Sequence, residues 1–298
     1  MTAFMMKIIA FLTALIALFY TPTPVTKVNP ERLPAAAAES DITVMTYNLK
    51  VSGVGQYAPD KRAPLLAENI RVYMPDSLGC QEASVSLLAM VSEELKDDYA
   101  YVGLGRDKDN KGEASPVFYL KEKYDLVDSG TFWLSQTPDE VSKGWDANYN
   151  RVCTYAVLKN RQTGFTYAHF NAHFDHIGII ARQESISLVT KKIAEICPDI
   201  PVVFSGDLND EEGSAMYNMA VSSGLRDSKF LAVKTMDSLT YHGYSAFTEA
   251  TRTKPIDFIF VNDFISSVAS YEVDLTKYNG IYPSDHHPVI VELTAFNG

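Results

Sequence analysis

The sequence predicts a mixed α/β fold, and two observations lead to this prediction. Short apolar runs rich in β-branched residues are interspersed with segments whose apolar residues repeat at helical spacing. The chain has 298 residues, of which 46% are hydrophobic and 21% charged. A chain of this length and composition can bury one large core or two smaller ones.

The first 40 residues differ in composition from the rest of the chain and are not expected to join the fold. An apolar run from Ile8 to Tyr20 follows a lysine, and its length is that of a signal-peptide core and short for a membrane span. A proline-rich stretch and three alanines come next. Residues 1–40 are therefore predicted to be a signal peptide, or an uncleaved anchor with a linker that contacts the membrane. The protein is expected to be exported, whether secreted, periplasmic or anchored outside the cytoplasmic membrane, with residues 41–298 as its folded domain.

The composition argues against two classes of protein. A formal net charge of -11 does not suit a broad basic surface for nucleic acid, although a local site can still bind phosphate groups. Three cysteines, Cys80, Cys153 and Cys197, are an odd number in apolar surroundings. Buried thiols are thus favoured over a disulfide framework.

The first predicted strands end in polar residues. The alternating segment from Ile42 ends in Asn48, and a second apolar run, Ser77 to Gln81, leads to Glu82. A helix that Asp60 caps is predicted between these strands, since its apolar residues repeat at helical spacing. A further amphipathic helix is predicted around residues 87–95.

The middle of the chain is predicted to be rich in strands. Residues 105–112 form a polar loop, which Glu113 closes. Strands are predicted at residues 116–120, 126–134 and 152–158, and Arg151 opens the last of them. The planar guanidinium of an arginine in this place suits either an ion pair or a phosphate.

The segment from Phe165 to His176 sorts into two chemically opposite faces at a period of two. One face is apolar, and the other is polar. A polar row opposite an apolar row is hard to explain by packing alone, so this strand is expected to line a polar cleft. The polar residues are Tyr167, His169, Asn171, His173 and Asp175.

Three later segments each bring acidic or imidazole side chains to a strand end. A buried strand that stops at Ser205-Gly206 delivers Asp207 and Asn209, although Gly-Asp-x-Asn is also an ordinary turn. An EF-hand is excluded, because the sixth position counted from Asp207 lacks the required glycine. Asp257 opens the next apolar run, and Asp285 with His286 precedes the last.

Other elements complete the pattern. Helices are predicted at residues 181–196 and 214–221, and a terminal strand at residues 289–293. His242 lies in a polar segment between them. His287 should point away from the side to which His286 points, since neighbouring side chains alternate along an extended backbone.

The polar strand ends together suggest a metal-dependent site. Oxygen ligands that include Glu82, without a cysteine cluster, suit Mg²⁺ or Mn²⁺ better than zinc. Two histidines with acidic partners can position a phosphate and transfer protons near neutral pH.

Short motifs in one order along the chain resemble the endonuclease/exonuclease/phosphatase (DNase I-like) superfamily, in a bacterial branch of uncertain substrate. The resemblance covers about residues 41–293. It rests on Tyr47-Asn48, Gln81-Glu82, Gly112-Glu113, Asn171-Ala172-His173-Phe174-Asp175, Gly206-Asp207-Leu208-Asn209, Ile256-Asp257-Phe258-Ile259 and Ser284-Asp285-His286-His287-Pro288-Val289. Leu208 and Ala172 stand where the family commonly has phenylalanine and threonine, and neither change removes a polar group.

The resemblance implies a fold and a role for each residue. The fold is a two-sheet β-sandwich flanked by helices, the DNase I-like four-layer sandwich, which the strand order alone does not establish. Glu82, helped by Asn48 and Asp285, would hold the divalent metal. The implied catalytic residues are Asp207, which activates the water, Asn209, which fixes that geometry, His286 paired with Asp257, and His173, which Glu113 would orient. The implied substrate contacts are Glu113, Arg151, Asn171 and His242.

The expected activity is metal-dependent hydrolysis of a phosphodiester or phosphomonoester through in-line attack of an activated water. The substrate is expected to be small or lipid-linked and the protein a monomer, while a secreted nuclease acting on DNA or RNA is an alternative. A second alternative is a non-catalytic binding module on the same fold, which the complete set of catalytic side chains disfavours. A zinc hydrolase of the metallo-β-lactamase type is a third, because Asn171-x-His173-x-Asp175-His176 nearly matches that family's motif.

Overall fold

The computed structural model describes residues 42–245, 248 and 254–296. Its strands are β1 (Ile42–Asn48), β2 (Ser77–Gln81), β3 (Ala83–Ser84), β4 (Tyr99–Val102), β5 (Gly105–Asp107), β6 (Lys111–Ala114), β7 (Val117–Leu120), β8 (Tyr124–Trp133), β9 (Val152–Asn160), β10 (Thr166–His173), β11 (Val202–Asp207), β12 (Arg226–Asp227), β13 (Ala232–Met236), β14 (Asp257–Val261), β15 (Ile265–Val273) and β16 (Val289–Phe296). Its α-helices are α1 (Pro59–Tyr73), α2 (Val85–Leu95), α3 (Ile179–Ile196), α4 (Ala215–Ser222) and α5 (Ser228–Leu231).

A seven-stranded sheet carries the first two polar strand ends. Its strand order is β13-β15-β16-β1-β2-β7-β4. Strands β1 and β2 are parallel, with Asn48 opposite Gln81. Their carboxyl ends therefore lie at one edge of the sheet, which places Asn48 beside Glu82.

A six-stranded sheet of order β12-β14-β11-β10-β9-β8 carries the polar strand ends that come later in the sequence. Parallel pairing of β10 and β11 sets His173 opposite Asp207. Antiparallel pairing of β11 and β14 sets Asp207 opposite Asp257. Three polar residues distant in sequence thus form one row across the sheet.

The two sheets pack face to face with helices on both outer sides, as the predicted four-layer sandwich requires. An apolar cluster that includes Val44, Val203 and Val291 fills the space between the sheets. Helices α1 and α2 cover the seven-stranded sheet with a second cluster, and α3 and α4 cover the six-stranded sheet with a third. The predicted two-sheet β-sandwich flanked by helices is therefore confirmed.

The polar face of β10 lies between the sheets, which corrects the expectation that this whole strand lines a cleft. The ring of His169 bridges the hydroxyls of Ser77 and Ser205, at 2.8 Å each. The side chain of Asn171 accepts a hydrogen bond from Gln81 and donates one to the carbonyl of Cys80. These groups satisfy one another inside the interface, and at the end of the strand His173 reaches the cavity described below.

Two predictions of local structure were also wrong. Residues 105–112 are not an open loop, because β5 and β6 pair there and join β3 in a small third sheet. The N-cap of α1 is Ala58, and Asp60 lies inside the helix. The three cysteines are buried and free, as predicted.

The prediction of a leader or anchor in residues 1–40 concerns a segment outside the described residues. Within the described part of the chain, no helix is both long and apolar enough to cross a membrane.

Candidate active site

The polar strand ends of both sheets meet around one cavity of about 560 Å³. It opens at the edge where β1, β2, β10 and β11 end. Acidic, basic and aromatic side chains line it together. The lining residues are Lys50, Val51, Glu82, Arg106, Glu113, Tyr149, Arg151, His173, His176, Asp207, Asn209, Tyr241, Ile256, Asp285 and His286.

Glu82 is held at the cavity wall by hydrogen bonds to both of its carboxylate oxygens. Asn48 Nδ2 donates to Oε1 at 3.1 Å, and the backbone N–H of Val51 donates to Oε2 at 2.7 Å. Its φ of 56° lies in the left-handed region, which costs a non-glycine residue about 1–2 kcal/mol. Strain of this kind is retained where the surrounding structure and a function require it.

Asn48 lies behind the cavity and aligns two carboxylates. Its amide nitrogen donates to Asp207 Oδ2 at 2.9 Å as well as to Glu82. Its Oδ1 accepts from the backbone N–H of Lys50. The arrangement therefore makes Asn48 a donor to both acidic residues, and the part in holding the metal that the family resemblance implies for it stays a prediction.

Asp285 faces the cavity from the loop that precedes β16. Its Oδ2 is 2.8 Å from Lys50 Nζ. Its Oδ1 is buried and has no hydrogen-bond partner in the described part of the chain. A buried carboxylate oxygen without a partner is costly, so this atom indicates where a cationic ligand fits.

Asp207, Asp257 and His286 form a buried cluster. His286 Nδ1 is 2.9 Å from Asp257 Oδ2, and its Nε2 is 3.7 Å from Asp207 Oδ2. The expected pairing of His286 with Asp257 is thus present. Ligand atoms of all three lie within 4.8 Å of one another, but the hydrogen bond already occupies Nδ1, so the cluster suits proton transfer better than metal binding.

The charges in this cluster shift the pKa values of its members. Burial and the neighbouring Asp257 raise the pKa of Asp207 to about 7. Burial disfavours a charged imidazole, yet the Asp257 and Asp207 carboxylates outweigh it and raise the pKa of His286 to about 10. His286 is therefore a cation at neutral pH, next to a carboxylate that can exchange a proton.

His173 is neutral, and this sets its hydrogen bonding. Burial, with the nearby Arg151 guanidinium, holds its pKa well below the ordinary value. The amide nitrogen of Asn209 lies 3.0 Å from Nε2, and since an amide nitrogen only donates, Nε2 accepts. The backbone N–H of Asn209 donates to Asp207 Oδ1 at 3.0 Å. Asn209 therefore connects His173 to Asp207.

The expected pairing of His173 with Glu113 is wrong. Both oxygens of Glu113 contact the guanidinium of Arg106, at 3.0 and 2.9 Å. Burial raises the pKa of Glu113 despite that guanidinium. Glu113 still lines the cavity, but as half of an ion pair.

Arg151 lines the cavity as predicted and is itself paired. Its Nε is 3.4 Å from Asp175 Oδ2, and its Nη2 is 3.2 Å from the His176 ring. Asp175 also accepts backbone N–H groups of Tyr149, Ile177 and Gly178. Because Asp175 is occupied and Asn171 lies between the sheets, the motif does not assemble a zinc site of the metallo-β-lactamase type.

Two predicted substrate contacts, Asn171 and His242, are not among the residues that line the cavity. Asn171 lies in the network between the sheets. His242 is fully buried, accepts from the Tyr244 N–H at Nδ1 and donates to the Ser284 carbonyl at Nε2. Burial lowers its pKa to about 4. Both ring nitrogens are thus occupied, so the assignment of His242 and Asn171 to substrate is wrong.

Sequence reasoning missed several cavity residues. Lys50 stands two positions after Asn48, and this closeness to a predicted site residue could have identified it from the sequence. Arg106 and Tyr149 lie in segments without a recognisable pattern, and only the folding of the β5–β6 hairpin against residues 149–151 brings them together. The indole of Trp133 and the amide of Asn150 fasten this hairpin, through the Arg106 carbonyl and Asp107 Oδ1.

Solved structures with the same fold are similar to the chain along nearly its whole described length. An endonuclease/exonuclease/phosphatase family protein of Bacteroides thetaiotaomicron is 35% identical, covers 85% of this chain and 97% of its own, and superposes with a TM-score of 0.77. The mannosyl-6-phosphatase of the same organism is 34% identical, covers 85% of this chain and 100% of its own, and has the same TM-score.

Sequence comparison alone finds less. No family model matches the chain. An uncharacterized protein of Acanthamoeba polyphaga mimivirus, R895, is 26% identical over 124 residues. The match covers 34% of this chain and 18% of the viral protein, so it says nothing about the activity of either whole protein.

Proposed function

The chain belongs to the endonuclease/exonuclease/phosphatase family, and on that premise we propose that it hydrolyses a phosphoester with the help of a divalent cation. The observation that carries the proposal is the position of Asp207. This carboxylate has a pKa of about 7 and lies within 4 Å of Asn48, His173 and His286. It faces a cavity that Glu82 and Asp285 also line.

The residues of the cavity fit the cation that the family implies. Glu82 and Asp285 supply carboxylate oxygens, the ligands that Mg²⁺ and Mn²⁺ prefer. Asp285 Oδ1 has no other partner in the described residues. When bound, such a cation would neutralise charge on the phosphoryl oxygens and stabilise the departing oxygen.

The protein's own residues would move the protons. In its carboxylate form, Asp207 takes a proton from a water whose oxygen attacks phosphorus, and the bond from phosphorus to the ester oxygen breaks. The ester oxygen takes a proton from solvent and leaves as an alcohol, and Asp207 returns its own proton to solvent. Asn48 and the Asn209 N–H hold the two oxygens of Asp207, so its orientation is set before the substrate binds. The cationic His286 would contact the phosphate, oriented by Asp257.

A small phosphomonoester, such as a sugar phosphate, is the proposed substrate. A relative that is 34% identical over its whole length is a mannosyl-6-phosphatase. A cavity of about 560 Å³ with several charged groups has room for a substrate of that size. A lipid-linked phosphoester has the same reacting group and stays in the panel of substrates to be tested.

The test is hydrolysis of a phosphoester panel by the purified protein with and without Mg²⁺ or Mn²⁺. We expect activity to require the cation and Glu82→Gln to lower kcat on the order of 10²-fold or more while weakening cation binding measured by calorimetry. Glu93→Gln, on the exposed face of α2, is the matched control and should change neither. Full activity in excess EDTA would contradict the proposal.

A further inference from the structure

One wall of the cavity consists of an ion pair, whose charges neutralise each other, and an aromatic ring. It is formed by Arg106, Glu113 and Tyr149, called the paired wall here. The ion pair of Arg106 and Glu113 is largely buried, with side-chain exposures of 12% and 18%. The pair lies next to Glu82 and His173, because one small recess is lined by Arg106 and Glu113 together with Glu82, Arg151 and His173.

The charges of this wall do not suit a second anion. Arg106 is neutralised by Glu113, and the neighbouring Arg151 is paired with Asp175. A phosphate bound there would have to compete with carboxylates at 2.9 and 3.4 Å. Since removing one partner from a buried pair is costly, these arginines are poorly placed to hold an incoming charge.

The same wall suits hydroxyl groups. A hydroxyl donates and accepts, and a guanidinium beside a carboxylate presents donors and acceptors side by side. Arg106 Nε is buried and lacks a hydrogen-bond partner in the described part of the chain. The wall is also rigid, since Trp133 and Asn150 fasten the hairpin that carries Arg106.

Tyr149 adds an apolar face to this wall. The residue is 47% exposed, and its ring lies 4.8 Å from Arg106 Cζ and nearly parallel to the ring of His176. An aromatic ring fixed at a cavity mouth offers a flat apolar surface next to polar groups. The C–H face of a sugar ring has this combination of an apolar surface bordered by hydroxyls.

We propose that the paired wall of Arg106, Glu113 and Tyr149 is a subsite for a neutral polyhydroxylated group, which holds the sugar of a sugar phosphate while the phosphate lies beside His286. This inference rests on the proposed function and deepens it, because it assigns the residues that select the substrate. Arg106 and Tyr149 are specificity residues and take no part in the chemical step.

The experiment compares a hexose 6-phosphate, n-hexyl phosphate and a hexose bisphosphate as substrates, so that hydroxyls and charge vary separately. Arg106→Lys keeps the charge but loses the planar fork, and Tyr149→Leu loses the ring. The matched control is Arg161→Lys, at the other end of β9 in an exposed pair with Asp125.

We expect the wild type to prefer the hexose 6-phosphate to hexyl phosphate. Arg106→Lys and Tyr149→Leu should each raise KM for the hexose 6-phosphate on the order of tenfold, with kcat nearly unchanged and hexyl phosphate hydrolysed as before. Arg161→Lys should change nothing. Equal losses of kcat/KM on hexose 6-phosphate and hexyl phosphate would overturn the inference. So would a preference of the wild type for the hexose bisphosphate that Arg106→Lys removes.

Binding of a free hexose, measured by saturation-transfer NMR, separates the two proposals. One outcome is that the protein cleaves no phosphoester but binds a free hexose, and that Arg106→Lys abolishes this binding. It would overturn the proposed function and support the subsite. Cleavage of phosphoesters without hexose preference or hexose binding would overturn the subsite and leave the proposed function standing.

Discussion

At the scale of single residues, the environment decides which of several histidines can act. His286, His173, His242 and His287 are all buried in or beside the site. Three carboxylates raise the pKa of His286, whereas burial lowers that of each of the others. Identical side chains therefore occupy opposite protonation states within one small region.

Replacing each of two neighbouring histidines by alanine tests this distinction. We expect His286→Ala to lower kcat on the order of 10²-fold or more, because it removes the cation that Asp257 orients. His287 lies against the rings of His242 and Tyr282, outside the cavity lining. His287→Ala should therefore lower thermal stability and leave kcat of the folded protein nearly unchanged.

Steady-state kinetics and thermal unfolding of both variants provide the measurement. Equal losses of kcat in the two variants would show that the roles of the neighbours have been misassigned.

At the scale of elements, Asp175 joins the loop of residues 146–149 to the start of α3. Burial favours its neutral form, but backbone N–H groups led by Gly178 and Ile177 outweigh this and hold the pKa of Asp175 below its ordinary value. The same carboxylate contacts Arg151. Backbone geometry at the cavity mouth thus depends on one ionised side chain.

This dependence predicts how stability changes with pH. A folded-state pKa below the unfolded one stabilises the fold above the unfolded value, about 3.9, and the stabilisation is lost as the pH falls through the folded value. Asp175→Asn should lower the free energy of unfolding by about 1–3 kcal/mol at neutral pH, since its amide cannot accept at both positions. Below about pH 4 the difference from wild type should shrink.

Urea unfolding at pH 7, 5, 3.5 and 2.5 measures this difference, since the lowest pH lies closest to the folded pKa. Asp139→Asn, which changes an exposed aspartate, is the control and should have no effect at any of these pH values. A constant difference across the series would show that the charge of Asp175 does not contribute.

At the scale of the whole molecule, the site depends on the contact between two sheets. Asn48 and Asp285 come from the seven-stranded sheet and the loop before its β16, while His173, Asp207 and Asp257 come from the other. The close approach also requires Gly79, because a Cβ there would lie 2.4 Å from Ser205 Oγ and 2.5 Å from Asn171 Oδ1. The polar network between the sheets therefore sets the distance between the two halves of the cavity.

The charge of the whole chain leads to a prediction about substrate size. We expect a small phosphoester to be hydrolysed with much higher kcat/KM than duplex DNA, because a chain of net charge -11 lacks the spread of cations that supplies non-specific DNA affinity. Lys50, Arg106 and Arg151 at the cavity are each paired with a carboxylate. A head group or sugar phosphate needs one phosphate position, whereas a duplex brings many more charges to an acidic surface.

Comparing plasmid DNA with the phosphoester panel at low and physiological salt measures this preference. A clear preference for DNA at both salt concentrations would reassign the protein as a nuclease.

Export is proposed from the N-terminal apolar run, and the mass of the protein recovered outside the cytoplasm would reveal whether residues 1–40 are removed.

The sequence by itself determined the fold family and most of the strand ends that form the site. Asn48, Glu82, Asp207 and His286 each follow or precede a short apolar run, and local pattern is enough to find such positions. Their order along the chain then matched one family, which the similar solved structures confirm.

Only the tertiary structure decided which polar residues share the cavity. Alternation along β10 placed Asn171 and His173 on one face, yet a period of two does not say what packs against that face. Because the second sheet covers most of it, Asn171 is a buried structural group and His173 alone of the two reaches the cavity. Arg106 and Tyr149 carried no sequence signal for the converse reason: contacts between distant segments bring them to the site, and local pattern does not encode such contacts.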